Sequence, residues 1–401
     1  MDYVKFISLK LVRIILSCLE ERKMKKLIAI ILVLASVLTL AACNKDKDYP
    51  PVESTEEEAR TVMAMEIDGK TYNVRYELYR AFFLTYKSLV DKGDESVWNG
   101  ENKDEYVEEI DEIIIDRIVE IYAALALCER IGYDIYSKDV EKKIKENIRV
   151  SVEGGSYGSS TIEGFESYED YLAALKAANL NYSVQSLLFR YAIAVDAIDT
   201  YFIGTASSDD IDVNVTIGKI EYTRDDVKAF YDSDDCVRVL RASFPKEITY
   251  TPLERAERLK DDLEAAAASK DTLEEMEIAV AAAIMSNSLY TNPAEIKAGY
   301  VIGRYNLERS YYGDMTDEAF GIEIGEVSDP IEIVTDVENA YYVLYRTFKS
   351  DEHFEENYDS IRYIYLMNYV GNISHGVAEE LKESISYTDF LLNINHAEIG
   401  M

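Results

Sequence analysis

Proline, cysteine, histidine and positive charge are all scarce in this chain: 401 residues hold six Pro, four Cys, three His and 42 Lys/Arg against 76 Asp/Glu. No proline occurs between Pro51 and Pro245. An interior proline costs a helix about 3 kcal/mol, so a long proline-free stretch suits a helical domain. Cys128 and Cys236 are the only cysteines after Cys43, too few for a disulfide framework; they are either one bridge or two buried thiols, and free thiols are favoured. His353, His375 and His396 form no zinc-type spacing with cysteine, and there is neither a P-loop nor a nucleophile elbow. The net charge of −34 repels a polyanion, which excludes nucleic acid as a natural partner. The acidic runs Glu56-Glu57-Glu58, Asp209-Asp210 and Asp234-Asp235 read as solvated faces rather than calcium loops. No cofactor and no metal is expected.

What is present begins with an address. Met24-Lys25-Lys26 supplies a basic start, Leu27 to Leu38 an apolar run, and Leu40-Ala41-Ala42-Cys43 has the form of a bacterial lipobox. The apolar run is shorter than the ~20 residues of a membrane span. The expectation is a signal peptide over residues 24–43, preceded by a misassigned start over 1–23, with Cys43 acylated as the mature N-terminus. The protein would then be extracytoplasmic, lipid-anchored to the outer face of the bacterial cytoplasmic membrane. Residues 44–61 are charged, carry Pro50-Pro51 and lack apolar periodicity, so they read as a flexible tether.

The remainder divides into three blocks: a helical domain over 62–224, a smaller domain over 225–350 that holds four of the six prolines, and C-terminal helices over 351–401 packing back on the first domain. Met63, Met65 and Ile67 alternate before Asp68-Gly69, with Tyr72 and Val74 after it, which predicts a hairpin. Ile110, Ile114, Ile118, Ile121, Leu125 and Cys128 fall on one helical stripe, and Ser137 is a plausible N-cap for the next helix. Gly154 to Gly164 reads as a flexible glycine-serine loop. The fold class expected is α+β, a mostly helical domain plus a small α/β domain with an antiparallel sheet and helices.

From Asp225 the order is a helix, a strand (Val237 to Ser243), an alanine-rich helix (Pro252 to Ser269) and a second helix (Leu273 to Met285). Then come Gly299 to Gly303, Asp317 to Phe320, Gly325-Glu326-Val327-Ser328-Asp329-Pro330 and a last strand, Ala340 to Arg346. This succession resembles the parvulin-type peptidyl-prolyl isomerase domain, and Val107 to Ile148 resembles the helical domain of the PrsA and SurA type of extracytoplasmic foldase. The resemblance implies a membrane-anchored chaperone that binds unfolded or nascent secreted polypeptides. It also implies two histidines, whose positions are occupied here by Phe244 and Tyr342, and a Cys or Asp replaced by Ser288. Phe244, Ser288, Tyr311, Met315, Phe320 and Tyr342 are therefore the expected peptide-binding residues, and catalytic residues stay unassigned. The 32 tyrosines suit adaptable contact with peptide. An active isomerase with a rearranged site, and a non-enzymatic lipoprotein binding a solute or a specific partner, remain as alternatives; a homodimer is left open.

Overall fold

The computed structural model describes residues 49–157, 160–204, 219–287, 296, 298–305, 309–334 and 339–399. The signal segment, Cys43 and Ser288 thus lie outside the described residues. The architecture is α+β, and the chain forms two compact units, divided between Val213 and Asn214 and again between Ile373 and Ser374.

The first unit opens with the hairpin β1 (Thr61–Ile67) and β2 (Lys70–Arg75). Asp68 and Gly69 at its tip have φ of 53° and 74°, the two left-handed residues that a two-residue hairpin turn needs. Helix α1 (Tyr76–Asp91) follows, then a short 3₁₀ turn and the long α2 (Lys103–Arg130). All six residues of the α2 stripe named above are buried. Gly132, with φ of 79°, ends the run, and the Ser137 hydroxyl accepts from the Val140 amide to start α3 (Lys138–Glu153).

The glycine-serine stretch after α3 is ordered as a hairpin, β3 (Gly154–Tyr157) with β4 (Ser160–Glu163), in the register Gly154↔Glu163 to Tyr157↔Ser160. A Cβ at Gly164 would sit 2.3 Å from the Glu153 carbonyl carbon, so glycine is there for close backbone passage. The small residues permit pairing where composition suggested a loop. Helices α4 (Tyr168–Ala177) and α5 (Tyr182–Phe202) complete this part, capped by Ser167 and Asn181. The buried Glu77 carboxylate accepts from Ser54, Asn181 and Ser183, tying the segment before β1 to the starts of α1 and α5.

The second unit begins with α6 (Arg224–Asp232), whose N-terminus is a full capping box of Thr223 and Asp226. Strand β5 (Cys236–Pro245) leads into α7 (Pro252–Ala268) and α8 (Leu273–Asn287); β6 (Tyr300–Gly303), α9 (Arg309–Gly321), β7 (Ile331–Val334) and β8 (Asn339–Thr347) follow. The four strands form one antiparallel sheet in the order β6-β5-β8-β7. Leu240, Ala242 and Phe244 point to one face and pack with Ala256, Leu259 and Leu263 of α7 and Val280 and Ile284 of α8. Val237 and Val239 point to the other, with Met315 and Ala319 of α9. Helix α10 (Asp351–Glu356) buries Phe354 against Tyr231, and the division between the units falls within α11 (Tyr358–Glu383).

The chain then returns to the first unit. β9 (Ser386–Tyr387) pairs with β1 at Ala64 and Met63, and the short α12 (Asp389–Leu392) buries Leu391. The Thr388 amide and hydroxyl both donate to Val62 O, each at 3.0 Å. Beyond it, His396 meets the aromatic group of Tyr79 and Phe83, next to the single tryptophan, Trp98.

Candidate functional site

The site expected from the sequence depends on which way β5 and β8 present their side chains. Their register pairs Ser243 with Tyr342 and Phe244 with Tyr341. Residues facing each other across a ladder share a face, and neighbours along a strand do not. Phe244 therefore packs under α7 and α8, while Tyr342 lies on the α9 side, and both are almost fully buried.

Of the six expected peptide-binding residues, Met315, Phe320 and Tyr342 come together in one apolar layer, where Met315 and Tyr342 are buried and Phe320 is partly so. Phe244 is separated from them by the sheet. Tyr311 stands on α9 one turn before Met315, and Ser288 lies outside the described residues. Next to the apolar layer, the Arg241 guanidinium stacks 3.7 Å from the centre of the Tyr300 ring and 5.7 Å from that of Tyr342. The Arg304 guanidinium lies 4.3 Å from the centre of the Phe320 ring, so this mostly buried apolar layer has cations of β5 and of the segment after β6 beside it.

The Gly325 to Pro330 motif serves the sheet. Gly325, with φ of 94°, donates to Arg346 O at 2.8 Å; Arg346 N donates to Glu326 O, and Val327 bridges Tyr345. The buried Ser328 hydroxyl accepts from Leu344 N at 2.9 Å. The motif thus runs antiparallel along β8 before β7 begins.

The most connected polar group in this unit was missed by the motif reading. Arg238 is buried in β5; both terminal nitrogens donate to Glu277 of α8, at 2.9 and 2.8 Å, Nη1 donates also to Phe348 O, and Nε donates to Ala298 O. Glu277 also accepts from the Thr347 hydroxyl at 2.6 Å. His353 Nε2 is 2.6 Å from Ala298 O, and its Nδ1 is 2.8 Å from Tyr231 Oη. A carbonyl only accepts, so Nε2 carries the proton and Tyr231 donates to Nδ1. Burial, then the Arg238 charge, depress His353 to about 4. With both nitrogens engaged it is a structural histidine without a free lone pair. The signal in the sequence is Arg238 itself, a charge inside the apolar run Cys236 to Leu240.

In the first unit, Tyr79 Oη lies 2.5 Å from Asp111 Oδ1 and 2.9 Å from His396 Nε2. Burial raises Asp111 and lowers His396 to about 4. Cys128 and Cys236 are free and buried, and burial pushes both thiols up to about 12, out of the reactive range. Among the described residues no group of His, Cys, Asp and Glu could hold a metal ion, and no helix is long and apolar enough to cross a membrane.

No family model matches the sequence, and no curated protein matches it. Solved structures similar to it include the foldase protein PrsA from Streptococcus pneumoniae str. Canada MDR_19A, at 13% identity over 82% of this chain and 97% of that one, with a TM-score of 0.23. The foldase protein PrsA of Lactococcus lactis is similar at 15% identity over 85% of this chain and 100% of that one, with a TM-score of 0.20. PrsA of Bacillus subtilis is similar at 12% identity over 70% and 87%, with a TM-score of 0.21. Identity and TM-score are low in all three.

Proposed function

We propose that this chain is an extracytoplasmic foldase-type chaperone, anchored by lipid on Cys43, that holds unfolded secreted polypeptides, and that its second unit binds peptide without isomerising it. The observation that carries the reading is the exposure of large apolar side chains on a chain of charge −34: Tyr250 is 87% exposed, Ile278 71%, Leu392 68% and Ile248 57%. Charge of this size keeps the chain soluble, and exposed apolar groups in that setting favour transient contact with other polypeptides. Ile248 and Tyr250 stand in the turn between β5 and α7, where Thr251 is held at φ of 45°, and the exposed Leu253 follows in the first turn of α7. A β-branched residue in that region is strained, as at many binding loops.

Catalysis asks for more. Prolyl isomerisation crosses a barrier of about 18 to 20 kcal/mol set by amide resonance, and lowering it takes polar groups that favour the twisted amide over the planar one. Phe244 has no hydrogen-bonding group, and the sheet separates it from Tyr342. Substrate and transition state are then bound about equally well.

Two measurements test the reading. The full chain at stoichiometric concentration is expected to slow light scattering by a diluted, denatured client; unchanged scattering would overturn it. In a protease-free assay of cis-to-trans relaxation, a proline peptide is expected to relax at the uncatalysed rate. An acceleration abolished by Met315→Ala would instead reveal a working isomerase site.

A further inference from the structure

Tyr49-Pro50-Pro51 lies across the end of α3 and the start of α4. The Tyr49 ring meets the Tyr168 ring at 5.2 Å between centres, its hydroxyl donates to Glu153 Oε1 at 2.9 Å, and the Tyr168 hydroxyl donates to Pro50 O at 2.6 Å. Tyr49 is half-buried, whereas Pro50, Pro51, Val52 and Glu53 are exposed. The next anchor is Ser54, whose hydroxyl donates to Glu77. Val52 and Glu53 therefore form a hinge from which residues 49–51 can lift while Ser54 stays bonded.

The surface beneath this strap is built without it. Phe165 N donates to Val152 O at 2.8 Å, which ties the approach to α4 against α3, and the Ser167 hydroxyl caps α4 by accepting from Asp170 N. The fully buried Tyr171 ring packs edge-on to Phe165, centres 5.6 Å apart, and stacks with Tyr168 at 6.0 Å. Glu153 is held through its other oxygen by Arg149 Nη1 at 2.6 Å. The result is a stepped aromatic platform with one hydroxyl donor and one carboxylate acceptor, fixed by the helices themselves.

The chemistry of the strap shows what the platform fits. Tyr49 and Pro50 each precede a proline, which confines both to extended backbone, and the prolines carry no N–H. Such a tract arrives already in its bound shape, and its recognition falls to ring packing and to donors aimed at its carbonyls. Tyr168 supplies both, and Glu153 takes the hydroxyl of the preceding tyrosine.

Resting on the chaperone reading above, we infer that the platform of Phe165, Tyr168 and Tyr171 is a docking site for extended client segments in which an aromatic residue precedes prolines, and that Tyr49-Pro50-Pro51 is its built-in competitor. Because the strap belongs to the same chain, it acts at high effective concentration. A client has to displace it, so apparent affinity is lowered by the fraction of molecules whose platform stands open.

The experiment is fluorescence anisotropy with the full chain and the labelled peptide Ser-Gly-Tyr-Pro-Pro-Val-Gly-Ser, against a copy with both prolines replaced by alanine. Tyr49→Ala with Pro50→Ala opens the platform and is expected to bind the proline peptide about tenfold more tightly than the parent chain, as for a strap closed about nine-tenths of the time. The open chain should bind the alanine copy about tenfold more weakly than the proline peptide. In the open background Tyr168→Phe keeps the ring and loses the donor, and should weaken binding severalfold; Tyr168→Ala should weaken it at least about tenfold. Tyr49 and Pro50 stand outside every helix and strand, and Tyr168→Phe preserves the packing, so circular dichroism should show these variants folded. Equal affinity of parent and open chain, equal affinity of the open chain for the two peptides, or no loss in either Tyr168 variant overturns the inference. So does a concentration-dependent dimer in sedimentation that Tyr49→Ala with Pro50→Ala abolishes, because the strap of a second copy would then own the platform. Client scattering separates the two levels. If the parent chain suppresses it while the open chain binds no peptide, only the platform assignment falls; if neither chain suppresses scattering, the chaperone reading falls and the client assignment with it.

Discussion

Arg238 and His353 show how far one buried charge can organise its surroundings. Removing one member of a buried ion pair leaves the other uncompensated, at about 3 to 5 kcal/mol, whereas replacing both with apolar groups of similar size is often near neutral. Arg238→Met is therefore expected to lower the unfolding free energy of the second unit by that amount, and Arg238→Met with Glu277→Met by much less, in urea titrations followed by circular dichroism. His353 adds a pH dependence. Its folded pKa of about 4 lies below the ordinary 6.5, so its contribution is full above 6.5 and lost as pH falls through 4. His396 is depressed in the same direction and contributes in the same window. His353→Gln should flatten, without abolishing, the fall in stability between those pH values, measured by urea unfolding at a series of pH; an unchanged slope would mean that His353 is not held neutral by its two partners.

At the scale of elements, the close fit of β6 to α11 can be tested at one atom. A Cβ at Gly303 would come 2.7 Å from Asn368 Oδ1, the oxygen that accepts from Tyr305 N at 2.8 Å. Gly303→Ala should displace that buried amide and cost about 1 to 3 kcal/mol through overpacking and a lost hydrogen bond. Thermal unfolding would read it, and an unchanged midpoint would mean that Asn368 moves aside freely. The elements themselves were largely legible before any coordinates, because their signals are local. The spacing of Ile110 to Cys128 wrote α2, Ser137 marked the start of α3, and the strand and helix order from Asp225 to Arg346 is the order found. Two things were not legible. Gly154 to Glu163 pairs as a hairpin because small residues allow it, and composition alone could not tell pairing from looseness. The faces of Phe244 and Tyr342 depend on inter-strand register, which no single strand's sequence contains: a shift of one residue would have put them together. The Arg238 network was hidden for a related reason, since its acceptors, the Glu277 carboxylate of α8 and the carbonyls of Ala298 and Phe348, all lie far from it in the sequence.

At the scale of the whole molecule, the proposed address makes a prediction at one residue. Diacyl attachment at Cys43 would give the two-chain anchoring that stable membrane residence needs. Cys43→Ala is expected to release the protein into the medium or leave an unprocessed precursor, seen by fractionation and mass; a processed, membrane-bound Cys43→Ala protein would rule out that anchor. The pairing of β1 with β9 has a consequence during synthesis. Thr388 bonds to a backbone oxygen 327 positions earlier, so at about 5 to 20 residues per second the ladder partner of Met63 and Ala64 arrives roughly a quarter of a minute to a minute after they do. During that interval β1 keeps an open edge, available to any passing strand, and the chain depends on its own last segment to shut out trespassers. A nascent copy of this protein is, for that time, a client in need of the kind of help that it is proposed to give.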